Sequence, residues 1–258
     1  MAPRSLPPLA LLALVLAAPA ARAQIVNVQS LFTEEAPLGP SASGEVSVEW
    51  RTGANDLFSA RGSLVGQYRT EREALLGVVR GEYGKSNGER ILARTLEHLR
   101  GRQQLSERWA AEAFAQHEYD AFRRLQLRML LGAGPRVRLL TAERLQLTGG
   151  LAVMFERERL ANDAQVDAGE RSTALRLSSY GLGKWVLGEN VSLVETFYVQ
   201  PRVDLPADLR LLNETSFVVK ANKHLSLAVS FTATYDSRPP ATIPRADTQL
   251  RTTLGFTL

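Results

Sequence analysis

Residues Leu225 to Tyr235 read Leu-Ser-Leu-Ala-Val-Ser-Phe-Thr-Ala-Thr-Tyr. Leu225, Leu227, Val229, Phe231, Ala233 and Tyr235 occupy one parity; Ser226, Ala228, Ser230, Thr232 and Thr234 occupy the other. Successive side chains of a strand point to opposite faces, so this run gives one apolar face and one small polar face. Helical spacing would mix the two sets.

The same period recurs along the chain. At the C-terminus, Leu250, Leu254, Phe256 and Leu258 alternate with Gln249, Arg251, Thr253 and Thr257. Upstream, Leu127, Met129, Leu131, Val137 and Leu139 oppose Gln126, Arg128, Arg136 and Arg138. Near the start, Val46, Val48 and Trp50 oppose Glu45, Ser47 and Glu49. Turn residues between such runs predict about twelve strands, beginning near 44, 57, 73, 91, 108, 125, 145, 172, 191, 208, 225 and 247. Ile91 to Arg102 alternates poorly, with Leu92 and Leu96 on the same parity as Arg94 and Arg100. Pro135 cannot donate to a ladder and predicts a bulge or a distorted end in the sixth strand.

The connections alternate in length. Thr70 to Arg72, Gln103 to Glu107, Thr141 to Arg144, Leu187 to Asn190 and Ala221 to His224 are compact. The other set includes Lys85 to Glu89, with an Asn87-Gly88 turn, and Pro201 to Ala207. It also holds the two longest connections, Glu158 to Arg171 and Ser237 to Arg245. Short periplasmic turns and longer outer loops are the pattern of an outer-membrane barrel. Trp50, Tyr83, Phe155 and Tyr235 fall at the outer strand ends and Tyr68, Trp109, Trp185 and Phe256 at the inner ends, as two aromatic girdles. The expected fold is therefore all-β: an antiparallel transmembrane β-barrel of about twelve strands over 44–258. A soluble sandwich or lipocalin-like barrel would also alternate. Twelve strands, however, would enclose more interior than these modest apolar side chains fill, and a soluble chain has little reason to keep alternating apolar residues at its extreme C-terminus.

Residues 1–23 read as a signal peptide: Arg4, an apolar stretch from Leu9 to Ala18, then Ala21-Arg22-Ala23 before Gln24. Residues 24–43, with Pro37, Gly39 and Pro40, read as a periplasmic lead-in segment. The 258 residues are 45% hydrophobic and 22% charged, with a formal net charge of +4. Removing Arg4 and Arg22 from the 31 basic residues leaves 29 against 27 acidic, interspersed and with no basic block. That balance excludes a nucleic-acid signature. There is no cysteine, which excludes disulfides, thiolate metal sites and thiol nucleophiles.

Short motifs resemble a known family. Trp50-Arg51-Thr52-Gly53, Ser106-Glu107-Arg108-Trp109, Leu131-Gly132-Ala133-Gly134 and Tyr235-Asp236-Ser237-Arg238-Pro239-Pro240 followed by Asp247-Thr248 resemble the YdiY-like salt-induced outer-membrane proteins, which carry a domain of unknown function. The resemblance covers about Gly44 to Leu258 and implies an outer-membrane barrel, but no reaction or ligand. This chain has Ala54-Asn55 where the family usually has Asn-Thr, and ends in Leu258 where it usually ends in an aromatic residue.

Few residues point to catalysis. His117, beside Glu118, Tyr119 and Asp120, is the only candidate base, and no serine is placed as its nucleophile. His98 and His224 read as structural, and the three histidines have no metal-ligand spacing. Asp236, Asp247 and the Glu34-Glu35 pair lack any calcium-loop spacing. No enzyme, metal or cofactor is expected. The informative feature is the inner face, expected to carry Arg61, Arg80, Glu82, Glu112, Arg128, Arg136, Arg138, Arg176, Lys184, Glu195, Arg210, Glu214, Lys220 and Arg251. At mid-depth on the lipid face each Arg or Lys would cost about 2–4 kcal/mol. Three readings follow: a narrow water-filled channel with a slightly cationic lining, a structural or surface-interaction barrel closed by salt-bridged side chains, and, most distantly, an outer-membrane hydrolase. The expected partners are outer-membrane lipid, the barrel-insertion machinery and small ions or solutes.

Overall fold

The computed structural model describes residues 25, 27–29, 38–53, 56–222 and 225–256. The leader, Glu34, Glu35, Ala54, Asn55, His224 and Leu258 lie outside the described residues.

Twelve strands follow one another among the described residues: β1 (Gly39–Arg51), β2 (Leu57–Arg69), β3 (Glu73–Ser86), β4 (Glu89–Gln104), β5 (Trp109–Asp120), β6 (Leu125–Thr141), β7 (Leu145–Leu160), β8 (Arg171–Gly188), β9 (Val191–Pro201), β10 (Leu209–Lys220), β11 (Leu225–Asp236) and β12 (Ala246–Phe256). Each pairs antiparallel with the next in one continuous meander. This is the expected all-antiparallel fold of a transmembrane barrel, with an even strand number. Among the described residues no ladder joins β12 back to β1. No described helix is long and apolar enough to cross a membrane, which says nothing of strands.

Parity follows the sequence. On β11, Leu227, Val229, Phe231 and Tyr235 are exposed, while Thr232, Thr234 and Asp236 are buried. The outward face elsewhere carries Leu64, Val79, Leu99, Leu131, Val153 and Phe197, all exposed. In a soluble protein that inversion would be costly; in lipid it is the matched arrangement. Among the described residues the interior contains only small apolar patches. Val28, from the segment preceding β1, is fully buried against Leu76 and Val78 of β3. Ile25 packs on Tyr198 of β9 and Leu212 of β10. The described part of the N-terminal segment therefore lies inside the curled sheet.

Some local features differ from expectation. β1 begins at Gly39 instead of near 44. Pro40 pairs with Tyr68 of β2, and proline is tolerated there because β1 is paired on one side only. Pro135 does interrupt a ladder: Ala133 pairs with Val153 and Arg136 with Gly150 of β7, and the two residues between have no partner in that ladder. The β5 side continues through Pro135 without a break. The register shifts of this ladder lie elsewhere, between Leu125 and Leu127 and between Arg138 and Leu140. Asn87 and Gly88 both have positive φ, 50° and 82°, which makes the tight turn joining β3 to β4.

Candidate functional site

The lumen is built from charge. β6 and β7 place Arg128 opposite Glu158 in register, and β10 and β11 place Arg210 opposite Asp236. From these ladders the longer side chains reach across the interior. Glu156 of β7 accepts a hydrogen bond from Arg176 Nε of β8 at 3.1 Å and pairs with Arg210 of β10 and Arg128 Nε of β6, the latter at 3.6 Å. Glu158 meets Arg128 Nη2 at 2.6 Å and Arg210 Nη2 at 3.1 Å. Glu118 of β5 accepts from Arg123 and lies 3.5 Å from Arg128. Arg176 closes the set on Asp208 at 2.8 Å. All these arginines are buried, as are Glu118, Glu156 and Asp208. A buried charge needs partners of this quality, because an isolated one would pay a large desolvation cost.

A second cluster lies nearer the short-turn end. Glu112 of β5 meets Arg100 Nη1 at 3.0 Å, Arg102 Nε at 2.9 Å and Arg136 Nε at 3.8 Å, and accepts from the Tyr180 hydroxyl at 2.8 Å. Tyr180 reaches it by lying over its cross-strand neighbour Gly150, where a Cβ would fall 2.1 Å from the ring. Any larger residue at 150 would displace that ring. His98 stacks on Phe114, accepts from Arg100 Nε through Nε2 at 3.5 Å, and is 2.9 Å from Gln116 Oε1 through Nδ1. Since a guanidinium can only donate, Nδ1 carries the proton.

These two clusters fill one side of the lumen. The spaces left among Arg100, Phe114, Arg128, Glu156 and Arg210 are about 30 Å³ or less, enough for a water or two. The other side is open. Strands β3–β5 face β10–β12 across a cavity of about 210 Å³. Arg80, Arg94, Arg123 and Arg251 line it, together with Glu82, Glu118, Asp120 and Glu214, and Ser230, Thr232 and Thr253 supply hydroxyls. Asn27 enters from the N-terminal segment and donates to Glu214 at 2.9 Å.

The long loops converge above. Arg124, buried and in the left-handed region at φ 58°, donates to both oxygens of Asp163, to Asp167 and to the carbonyl of Ala241. The amide of Ala241 returns a bond to Asp167 at 2.7 Å. The β5–β6 turn and the β11–β12 loop are half a circuit apart in a twelve-strand meander, so this contact spans the mouth.

The architecture was compared with known proteins. A family described as "Protein of unknown function, DUF481" matches residues 44–258. The chain belongs to this family. The YdiY-like proteins that its motifs resemble are members of it. No curated protein matches the DUF481 chain. Among solved structures, a NanC porin is similar with a TM-score of 0.51 at 9% identity, covering 85% of this chain and 99% of the porin chain. That similarity is one of fold.

The inner-face residues expected in this DUF481 chain divide clearly. Arg128, Arg136, Arg176, Arg210 and Glu112 lie in the packed clusters; Arg80, Glu82, Glu214 and Arg251 line the cavity. Arg61 reaches Glu82 at 3.5 Å while remaining exposed. Arg138 donates to the Glu107 carbonyl at the short-turn end. Lys184 shares the inward parity of Tyr180, and Lys220 that of Leu212. Glu195 departs from the set. It lies opposite in parity to buried Thr196 and Tyr198, on the outward face, where Asn213 and Thr215 of β10 donate to its two oxygens. Those donors make an outward carboxylate tolerable. His117 is also outward, bound through Nδ1 to Glu97 Oε2 at 2.5 Å, and does not line the cavity.

Arg123, Glu156, Glu158 and Asp208 were not anticipated, and Glu118 and Asp120 were read only as neighbours of His117, although Glu118, Glu156 and Glu158 share the inward parity of their strands. Arg124 carries no sequence signal, because its partners lie in distant loops. Among the described residues no group of three or more acidic or histidine side chains could hold a metal ion.

Proposed function

We propose that the protein is a non-catalytic outer-membrane β-barrel whose lumen carries a narrow, weakly anion-favouring route for small polar solutes. The observation that carries this reading is the asymmetric lumen: one wall sealed by ion pairs, the other keeping a polar cavity of about 210 Å³. A twelve-stranded barrel is wider than the eight-stranded kind that side chains just fill. Here ionic clusters occupy the surplus on one side only. The cavity lining is balanced, four arginines against four carboxylates. A cationic excess lies nearer the short turns, where Arg100, Arg102 and Arg136 share the carboxylate of Glu112 and Arg138 stands at the rim. A solute entering there meets positive potential first, which favours anions. Placing the short turns in the periplasm follows the usual loop asymmetry of such barrels.

The purified protein in liposomes tests this. Small monovalent anions should exchange slowly but measurably, and faster than cations of similar size. Robust cation preference would overturn the proposal. Absence of exchange would favour the second reading, a closed structural barrel, which the loop contacts around Arg124 support.

A further inference from the structure

The outward wall of β4 and β5 combines small residues with an ionisable pair; the β2–β3 wall, with Gly62 opposite Gly81 and Gly66 opposite Gly77, has small residues but no such pair among the described residues. Between Trp109 and Tyr119, β5 presents Ala111, Ala113, Ala115 and His117 outward. On β4 the residues paired with the last three are Gly101, Leu99 and Glu97. Ala115 lies in register between exposed Leu99 of β4 and Leu131 of β6, and Ala111, Ala113 and Gly101 keep the rest of the patch small-chained. At its outer edge stands the Glu97–His117 pair, whose side chains are 45% and 43% exposed. Ionisable groups at membrane depth are costly and seek partners.

The pair uses Nδ1 of His117 and Oε2 of Glu97. Among the described residues Nε2 and Oε1 make no further hydrogen bond. Glu195, the polar residue on the β9–β10 wall, contrasts with it: both its oxygens are taken by Asn213 and Thr215. One outward carboxylate is satisfied within the chain; the other pair retains a donor or acceptor position on each member.

We propose that the β4–β5 wall is the contact surface of a homodimer whose two-fold axis runs parallel to the barrel axis. Such an axis sets β4 of one copy against β5 of the other at equal depth. Glu97 then faces His117 of the second copy, and the reciprocal pair forms on the other side of the axis, which is the self-complementarity an isologous interface requires. The His and Glu atoms left over in one copy match those of the next in charge and in hydrogen bonding. Small residues at Gly101, Ala111, Ala113 and Ala115 let the walls approach closely, the main source of attraction when the solvent is itself apolar. The fit is to a second copy of this chain, because the patch carries donor and acceptor in the arrangement that its own image needs.

The chain has no cysteine, so single cysteines report cleanly. Ala115→Cys and, on the far wall, Val229→Cys are oxidised in native outer membranes. Ala115→Cys should give a product of twice the chain mass, and Val229→Cys should not. Combining Ala115→Cys with Glu97→Gln and His117→Gln should lower that yield about tenfold, while the barrel keeps its heat-modifiable migration. If Ala115→Cys disturbs folding, Leu99→Cys repeats the test. Equal yields at both walls, no dimer from either patch position, a product of another mass, or a yield indifferent to Glu97 and His117 would each overturn the proposal.

Discussion

Arg124 and Asp163 meet fork to fork, with Nε to Oδ2 and Nη2 to Oδ1 both at 2.6 Å. The same guanidinium holds Asp167 and the Ala241 carbonyl, so one side chain from a short turn fastens two long loops. Bidentate arginine–carboxylate pairs fix orientation as well as charge.

That contact has a pH signature. The Arg124 hydrogen bonds hold the Asp163 carboxyl below its usual 3.8. For Asp167 burial pushes upward, but the Ala241 amide and Arg124 outweigh it and the carboxyl again lies below 3.8. A depressed folded-state value means the contribution is complete above the unfolded value and disappears as pH falls through the folded one. Nitroxides in the 161–170 loop should therefore be equally immobile at neutral pH and at mild acidity, and loosen only below 3.8. Asp163→Asn with Asp167→Asn should be loose already at neutral pH. Loosening of the natural chain during mild acidification would contradict this account of the loops.

Glu156 is shared by three buried arginines, Arg128, Arg176 and Arg210. Glu156→Ala leaves those cations short of a partner in a buried place and should cost about 3 kcal/mol. Glu49→Ala removes half of the exposed Glu49–Arg51 pair and should cost at most about 1 kcal/mol. Urea unfolding in lipid vesicles compares the two variants; equal losses would show that the buried cluster does not support the barrel.

Alternation on β11 gives a third expectation. Labels at Val229 and Phe231 should be accessible to oxygen dissolved in lipid, and labels at Thr232 and Thr234 to water-soluble reagents. Reversed or helical periodicity would rule out the strand assignment.

The fold was legible because most strands alternate as cleanly as β11 does, and lipid on one side enforces that alternation. β4 was the obscure case. Its inward face mixes Leu96, which lines the cavity, with Arg94, His98, Arg100 and Arg102. Glu195 was misplaced because charge was taken to imply the lumen; the donors that make it tolerable, Asn213 and Thr215, sit on the next strand, where pattern along one strand cannot show them. Arg124 was invisible for the same reason at longer range, its partners being 39 and 117 residues away in sequence. The charge-rich character of the lumen could be read from parity, but its division into a sealed wall and an open cavity depends on contacts across the interior.

The most direct test of the narrow-route account is planar-bilayer recording of the purified protein, natural and with Arg251→Glu. Arg251 lines the cavity and keeps an exposed side chain, so Arg251→Glu turns the balanced lining acidic and opposes the cationic excess at the short-turn end. The account predicts small, steady currents with a modest preference for anions, and loss or reversal of that preference in Arg251→Glu. Large cation-selective currents from the natural protein, or a preference unmoved by Arg251→Glu, would contradict it.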